Sequence, residues 1–298
     1  MNTTTDFHRT VPIDLMKEFT LCESFAREDS EYSVALERPQ SYGAMIGDYL
    51  TGRGLLKNRA SICEMGCGYG SLMAGLLERY GDIIERVTMI DLSGRLLRRQ
   101  RSTLAPWLHK ITSLQADIHA IVDAVRGMDL FIVNEVMGDL NTLTDLNPSA
   151  LTGEAGEVIE TYGLEMPERT FHLNIGAIRL VEALCRKGIP AFLTEHSSDP
   201  IIPDDMAYLK QDLEQDSYPR EIKLYRHSEY TIRFSHLVKV AESHGKVVNT
   251  GPLLDIVPIR RSPEMRMIFT AKASSTDRRE IILELLDHIR EYRYITIT

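Results

Sequence analysis

A glycine-rich junction with an acid in front of it is the clearest chemical signal in the sequence. In SICEMGCGYGSLMAGLLERY (residues 61–80), three glycines stand between an apolar run and an apolar-periodic one. Glycine is unfavourable inside strands and helices, so this spacing indicates a ligand that lies against bare backbone. Dinucleotide folds use G-x-G-x-x-G, whereas here the third glycine comes one residue early and Glu64 precedes the first. A carboxylate repels a diphosphate and attracts an ammonium group, which favours a cationic ligand.

Acidic residues also end the next two predicted strands. Asp91 comes roughly twenty residues after the glycines, where an acid can accept hydrogen bonds from ribose hydroxyls. Asp117 ends the third strand, where it can accept the adenine amino group while Ile118 packs on the ring. Each acid alone could be a helix cap or a solvated loop residue. Together they predict S-adenosylmethionine, which has a sulfonium, an ammonium and no phosphate, bound by Glu64, Gly66, Cys67, Gly68, Gly70, Asp91, Leu92, Asp117, Ile118 and Asn134.

The acceptor side of the cleft is predicted to begin at the end of the fourth strand, at Asn134-Glu135. If the acceptor is an amine or a guanidine, a carboxylate must orient it and balance its charge. Glu135 is the first candidate and Asp139 the second, with Asn134 beside them. A capping or loop role is the alternative for Asn134. Glu195 and His196, at the end of the fifth strand, are candidate bases.

Strands that alternate with helices must position these residues. The predicted strands are ASICEMG, RVTMIDLS, ITSLQAD, MDLFIVNEV and IPAFLTEHS, with helical patterns between them. This alternation predicts an α/β fold with a parallel sheet and right-handed crossovers. KVVNTGPLLDIV and MRMIFTAKA are predicted to form a terminal hairpin, so that one of them runs antiparallel.

Three regions are predicted along the chain. Residues 1–58 form a helical N-terminal segment, and residues 59–272 form the ligand-binding domain. Its two insertions, 141–169 and 198–230, are long for plain loops and therefore expected to be functional, with disorder as the alternative. Residues 273–298 are predicted as an amphipathic helix and tail that packs on the body or on a second subunit, which leaves a homodimer open.

Composition excludes several function classes. The 298 residues carry a formal charge of -9, which argues against a nucleic-acid-binding face. The four cysteines are too few for a disulfide framework. Cys63 and Cys67 could suggest a metal pair, but no matching Cys or His pair follows at zinc-site spacing, so no metal is predicted. Neither a signal peptide nor a membrane span is expected, and we predict a cytoplasmic protein.

The motifs together resemble class I S-adenosylmethionine-dependent methyltransferases, and among them the MidA-like family. The segments that carry the resemblance are DLSGRLLRRQRSTLAPW, DLFIVNEVMGDL and REIKLYRHSEYTIRFSHLVKVAESHG, and it spans roughly residues 40–257. That family includes the mitochondrial complex I assembly methyltransferase, which modifies a protein arginine. The resemblance implies a Rossmann-like sheet with an antiparallel terminal strand and methyl transfer to a protein (arginine-type) nitrogen.

The sequence departs from this family on the acceptor side. Gly138 displaces Asp139 by one position within the fourth-strand motif, and Glu195-His196-Ser197 replaces an aromatic turn after the fifth strand. Two other functions therefore stay open. One is methylation of a small molecule, and the other is an assembly factor that binds the cofactor without turnover.

Overall fold

The computed structural model describes residues 1–10, 19–272 and 276–298. Parts of the predicted N-terminal and C-terminal segments, residues 11–18 and 273–275, lie outside the described residues. The helices are α1 (Thr5–Thr10), α2 (Leu21–Ser24), α3 (Tyr42–Gly52), α4 (Ser71–Tyr80), α5 (Gly94–Thr103), α6 (Ile118–Ile121), α7 (Gly153–Tyr162), α8 (Ile175–Lys187), α9 (Phe234–Ser243), α10 (Pro263–Ala271) and α11 (Asp277–Ile289).

The strands are β1 (Ala60–Met65), β2 (Ile84–Asp91), β3 (Ile111–Gln115), β4 (Leu130–Asn134), β5 (Leu143–Leu146), β6 (Phe171–Leu173), β7 (Ala191–His196), β8 (Glu221–Lys223), β9 (Ser228–Tyr230), β10 (Val248–Pro252) and β11 (Tyr292–Ile297). Seven of them form one sheet in the order β10-β11-β7-β4-β1-β2-β3. All its pairs are parallel except those of β11, which runs antiparallel to both neighbours. The predicted fold class is confirmed.

Helices cover both faces of the sheet because the central strands are apolar on both sides. Alternate residues of β1 enter different cores: Ile62 joins the cluster with α3, α4, α10 and α11, and Cys63 joins the cluster with α7, α8 and α9. Every residue of β4 is buried. The order reverses beside β1, which places the carboxyl ends of β1 and β4 next to each other, where ligands bind in such sheets.

The end of the chain corrects two sequence-based predictions. Residues 265–271 of MRMIFTAKA, predicted as a strand, belong to helix α10, which has Ser262 as its N-cap and Pro263 at the first position. The antiparallel strand is instead the last segment, β11, which was predicted as a tail. Helix α11 packs its apolar face on the body of its own chain, with Leu285, Leu286 and Ile289 in the core.

Both insertions contain regular secondary structure. β5, in the first insertion, pairs antiparallel with β6, which follows that insertion, and β8 pairs antiparallel with β9 within the second. In the described residues, no helix is both long and apolar enough to span a bilayer.

Candidate active site

The glycine loop between β1 and α4 bends through three left-handed residues. Gly66, Gly68 and Gly70 have φ values of +71°, +47° and +80°. Their surroundings differ. A Cβ on Gly66 would lie 2.4 Å from Val136 Cγ2, whereas a Cβ on Gly68 would meet nothing within 4 Å. Gly66 is therefore needed where the loop packs against the segment after β4, and Gly68 faces open space.

The acid at the end of β2 lies directly against this loop. The Gly68 N–H donates to Asp91 Oδ2 at 3.0 Å, and the Ser93 N–H donates to Asp91 Oδ1 at 2.8 Å. Burial raises the pKa of Asp91 to about 6 in spite of these two donors. Asp91 lines a pocket beside the glycine loop, called the first pocket below. Leu92, Asp117 and Ile118 line this pocket as well. Asp117 also accepts from the His119 N–H at 2.9 Å, so it caps α6 as well.

Glu64 lines a second pocket that borders the same glycine loop. This pocket is lined by Gly66, Cys67, Gly68, Gly70 and Asn134 among others, and it shares Gly66, Gly68 and Glu135 with the first pocket. Glu64 is buried, and its Oε2 has no hydrogen-bond partner in the described part of the chain. Burial, with the negative charge of Asp91, raises the pKa of Glu64 to about 8. A cation placed here would favour its ionised form.

The end of β4 holds the N-terminal segment in place. Glu135 has a φ of +49°, a left-handed conformation that is uncommon for a residue with a side chain. Its carboxylate accepts from the Leu21 N–H at 2.9 Å and the Cys22 N–H at 3.2 Å, which are the first two residues of α2. Tyr292 Oη donates to the same carboxylate at 2.7 Å, and Asn134 Nδ2 at 3.2 Å. Glu135 thus holds the N-terminus of α2 by hydrogen bonds at a position that borders both pockets.

Asn134 is fully engaged in a buried network. Its Oδ1 accepts from Tyr42 Oη at 3.0 Å and from Thr194 Oγ1 at 2.6 Å. Its Nδ2 also lies 3.1 Å from Cys22 Sγ. Asn134 therefore orients the side chains around Glu135.

Of the remaining candidates, only Asp139 reaches the cleft wall. Asp139 Oδ1 lies 2.7 Å from His8 Nε2, and both residues line the first pocket. Glu195 is buried away from the cleft, where it accepts from the Gly138 N–H at 3.2 Å, and burial raises its pKa well above the usual range. His196 is packed on Tyr292, with ring centroids 4.0 Å apart, and burial lowers its pKa to about 3. Neither of these two lines either pocket.

Several lining residues had no signal in the sequence. They come from the N-terminal segment and from positions next to recognised motifs: Thr4, Thr5, His8, Thr20, Glu23, Ser71 and His119. His119, which directly follows the Asp-Ile pair, and Ser71, which directly follows Gly70, could have been found from their neighbours. His119 Nε2 is buried and has no partner in the described chain.

The cleft as a whole is acidic. The two pockets enclose about 780 Å³ and 460 Å³ of space, part of it open to solvent. Among the described residues that line them, none is lysine or arginine. The carboxylates in the lining are Glu23, Glu64, Asp91, Asp117, Glu135 and Asp139.

Residues 62–163, from β1 through α7, match a family model described as a methyltransferase domain. The predicted enzyme class, a methyltransferase, is confirmed. No curated protein matches the chain. The glycine loop, Asp91, Asp117 and the end of β4 all lie within the part that matches the methyltransferase model.

Solved structures share the fold of this methyltransferase. An uncharacterised protein from Burkholderia thailandensis has a TM-score of 0.57 at 14% identity, with 100% of this chain and 87% of that chain covered. A second B. thailandensis structure, crystallised with S-adenosyl-homocysteine, has a TM-score of 0.58 at 16% identity, with 95% and 79% covered.

Proposed function

We propose that this methyltransferase transfers the methyl group of S-adenosylmethionine to a protein nitrogen of the arginine type, as in the MidA-like family. The observation that supports this is the charge of the cleft, which is lined by six carboxylates and, among the described residues, by no lysine or arginine. Sulfonium, ammonium and guanidinium groups are all cations, so they gain Coulomb energy in such a cleft. The two negatively charged phosphates of NAD would instead be repelled by these carboxylates.

The cofactor is S-adenosylmethionine, which when bound supplies a methyl group on a positively charged sulfur. The residues present fit it. Asp91 would accept from the ribose hydroxyls, Asp117 from the adenine amino group, and Ile118 would pack on the ring. The unpaired Oε2 of Glu64 would face the ammonium group, and the open side of Gly68 leaves room for the ligand against the backbone.

The acceptor side is assigned to Glu135, with Asp139 second and Asn134 in support. Glu135 lines both pockets, so it lies between the places proposed for the adenosine and the methionine. There its carboxylate would orient an acceptor nitrogen and balance its charge, while α2 excludes water. Aligning the nitrogen with the methyl group accounts for most of the rate in a displacement of this kind.

A small-molecule acceptor is the second candidate, favoured by the position of the N-terminal segment. Thr4, Thr5 and His8 line the cleft, and Thr4 Oγ1 donates to the Asp139 carbonyl at 2.7 Å. This cover narrows the entrance, which suits a compact acceptor.

Incubation with methyl-labelled S-adenosylmethionine separates these functions. The protein fraction and the metabolite fraction of a cell extract are offered separately, and both are analysed by mass spectrometry. Label in methylarginine of a protein is the expected result. Label only in a metabolite would replace the arginine acceptor by a small molecule. Binding of the cofactor without label in either fraction would favour an assembly factor.

A matched pair of variants tests the cofactor site itself. Asp91→Asn removes the charged acceptor proposed for the ribose, so the affinity for S-adenosyl-homocysteine should fall by about ten-fold or more in calorimetry. Asp129→Asn is the control, because the Asp129 side chain lies outside both pockets and accepts a backbone hydrogen bond from Ser61, at the start of β1, at 2.8 Å. Equal affinities for both variants would contradict the assignment of Asp91.

A further inference from the structure

Two histidines and two carboxylates from three separate segments converge beside the cleft. His8 belongs to α1, Asp139 follows β4, and His227 and Glu229 belong to the β8–β9 hairpin. One ligand-type atom from each lies within 4.8 Å of the other three. His8 Nε2 is 2.7 Å from Asp139 Oδ1, and His227 Nε2 is 3.3 Å from Glu229 Oε1.

The donor set is chemically suited to a transition metal. Imidazole nitrogens together with carboxylate oxygens suit zinc and its neighbours, whereas magnesium and calcium prefer oxygen ligands alone. From the geometry we infer that His8, Asp139, His227 and Glu229 form a binding site for one divalent ion of the zinc class, which ties α1 to the acceptor side of the cleft.

The surroundings of the cluster support an ion. The other ring nitrogen of His227, Nδ1, lies 3.3 Å from the Tyr225 carbonyl oxygen, the kind of second contact that orients metal-binding histidines. Phe7 stacks on the His227 ring, with centroids 4.0 Å apart. Asp139 and Glu229 each offer a carboxylate oxygen to the cluster, and a divalent cation between the two like charges would offset their mutual repulsion.

Binding an ion needs a modest adjustment of the side chains. Ligand atoms of a tetrahedral zinc ion lie about 3.4 Å apart, so the widest pair of the cluster must approach by up to about 1.5 Å. His8 Nε2 and Asp139 Oδ1, which are 2.7 Å apart, must separate by less than about 1 Å. The carboxylates of Asp139 and Glu229 together balance the charge of one divalent ion. Glu135 then remains as the carboxylate that balances the charge of the acceptor. The inference does not depend on methyl transfer, since the ion would link the N-terminal helix α1 to the rest of the protein whether or not a methyl group is transferred.

Metal titration tests the site on full-length protein without an affinity tag. After treatment with a chelator, Zn²⁺ is added in competition with a chromophoric chelator, and Co²⁺ absorption reports the coordination. We expect one ion per chain, with at least ten-fold weaker binding in His227→Gln and in Glu229→Gln. The controls are Glu221→Gln, an exposed acid on the same hairpin, and His109→Gln, an exposed histidine elsewhere. Circular dichroism without metal shows whether each variant is folded.

The outcomes decide the inference in both directions. Wild-type affinity in either ligand variant, or equally weak binding in the wild type and all variants, would overturn the site. A second measurement tests the tie to α1: Zn²⁺ should slow tryptic cleavage at Arg9, which lies in α1. Tight Zn²⁺ binding with an unchanged cleavage rate would overturn the link to that helix.

Discussion

At the scale of single residues, the glycines of one loop serve different purposes. Gly66 has no room for a side chain because Val136 lies against it, so its replacement would displace the segment after β4. Gly68 has room, and its backbone N–H already donates to Asp91. Any side chain at Gly68 would occupy the space that we assign to the cofactor.

Gly68→Ala should therefore weaken the binding of S-adenosyl-homocysteine by about ten-fold or more while the protein stays folded. The matched control is Gly153→Ala, because Gly153 has a similar φ, +61°, and also has nothing within 4 Å of an added Cβ. Both variants place a side chain on a left-handed residue, and only Gly68 borders the cleft. Calorimetry measures the affinities. Equal affinity in the two variants would show that Gly68 serves only the turn.

Glu64 makes the stability of the ligand-free protein depend on pH. Its pKa is about 8 in the folded protein and about 4.3 in an unfolded chain. Between these values the folded state binds the proton more tightly, so stability falls as the pH rises and the loss is complete above about 8. Glu64→Gln cannot ionise. The melting temperature of Glu64→Gln minus that of the wild type should therefore be larger at pH 8.5 than at pH 5, by at least ~2 °C.

The same variant should bind the cofactor at least ten-fold more weakly at pH 8, because the ammonium group loses its partner. Thermal unfolding at both pH values and calorimetry at pH 8 measure the two effects. A difference in melting temperature that does not change with pH would contradict the burial of an ionisable Glu64.

At the scale of elements, the N-terminus of α2 is held by one carboxylate, that of Glu135, and by its cap residue Thr20, which accepts from the Glu23 N–H at 3.3 Å. Glu135 accepts from the first two backbone N–H groups of this four-residue helix, which is too short to be stable alone. Tyr292, on β11, donates to the same carboxylate. Glu135 thereby joins the N-terminal segment, β4 and the last strand at one point.

Glu135→Gln should lower the free energy of unfolding by about 1.5–3 kcal/mol, since these are hydrogen bonds to a charged acceptor. If the carboxylate also orients the acceptor, kcat should fall by ~100-fold with cofactor affinity retained. Tyr292→Phe is the control, because it removes one donor and leaves the carboxylate in place. Denaturant unfolding and steady-state kinetics measure the two effects. An unchanged kcat would restrict Glu135 to holding α2.

At the scale of the whole molecule, the last strand in the chain, β11, connects β10 to the rest of the sheet. All six residues of β11 are buried, and the strand pairs with β7 on one side and β10 on the other. Without β11, β10 would lose its only neighbour in the sheet as described, and both cores would open to water.

A chain that ends at Glu291 should therefore fail to unfold cooperatively, as measured by circular dichroism during heating. A chain that ends at Ile297 lacks only the exposed Thr298 and should behave as the full-length protein. Cooperative unfolding of the shorter chain near the wild-type temperature would show that β11 is dispensable.

The sequence by itself determined the local features of the fold. The alternation of strands and helices, the glycine turn after β1 and the acids at the end of β2 and just after β3 depend on residues close together in the chain, and the structure has them where they were predicted. The short apolar run MRMIFTAKA was ambiguous because periodicity cannot separate a short strand from a helix; the Ser262-Pro263 pair, a helix-start signal, would have resolved it.

Only the tertiary structure decided which distant segments complete the cleft. His8 reaches Asp139 across 131 positions, and Tyr292 reaches Glu135 across 157. Such contacts depend on how the whole chain packs, and no spacing in the sequence encodes them. For the same reason the His8–Asp139–His227–Glu229 cluster has no zinc-site pattern, since its ligands come from three segments that only the folded sheet brings together.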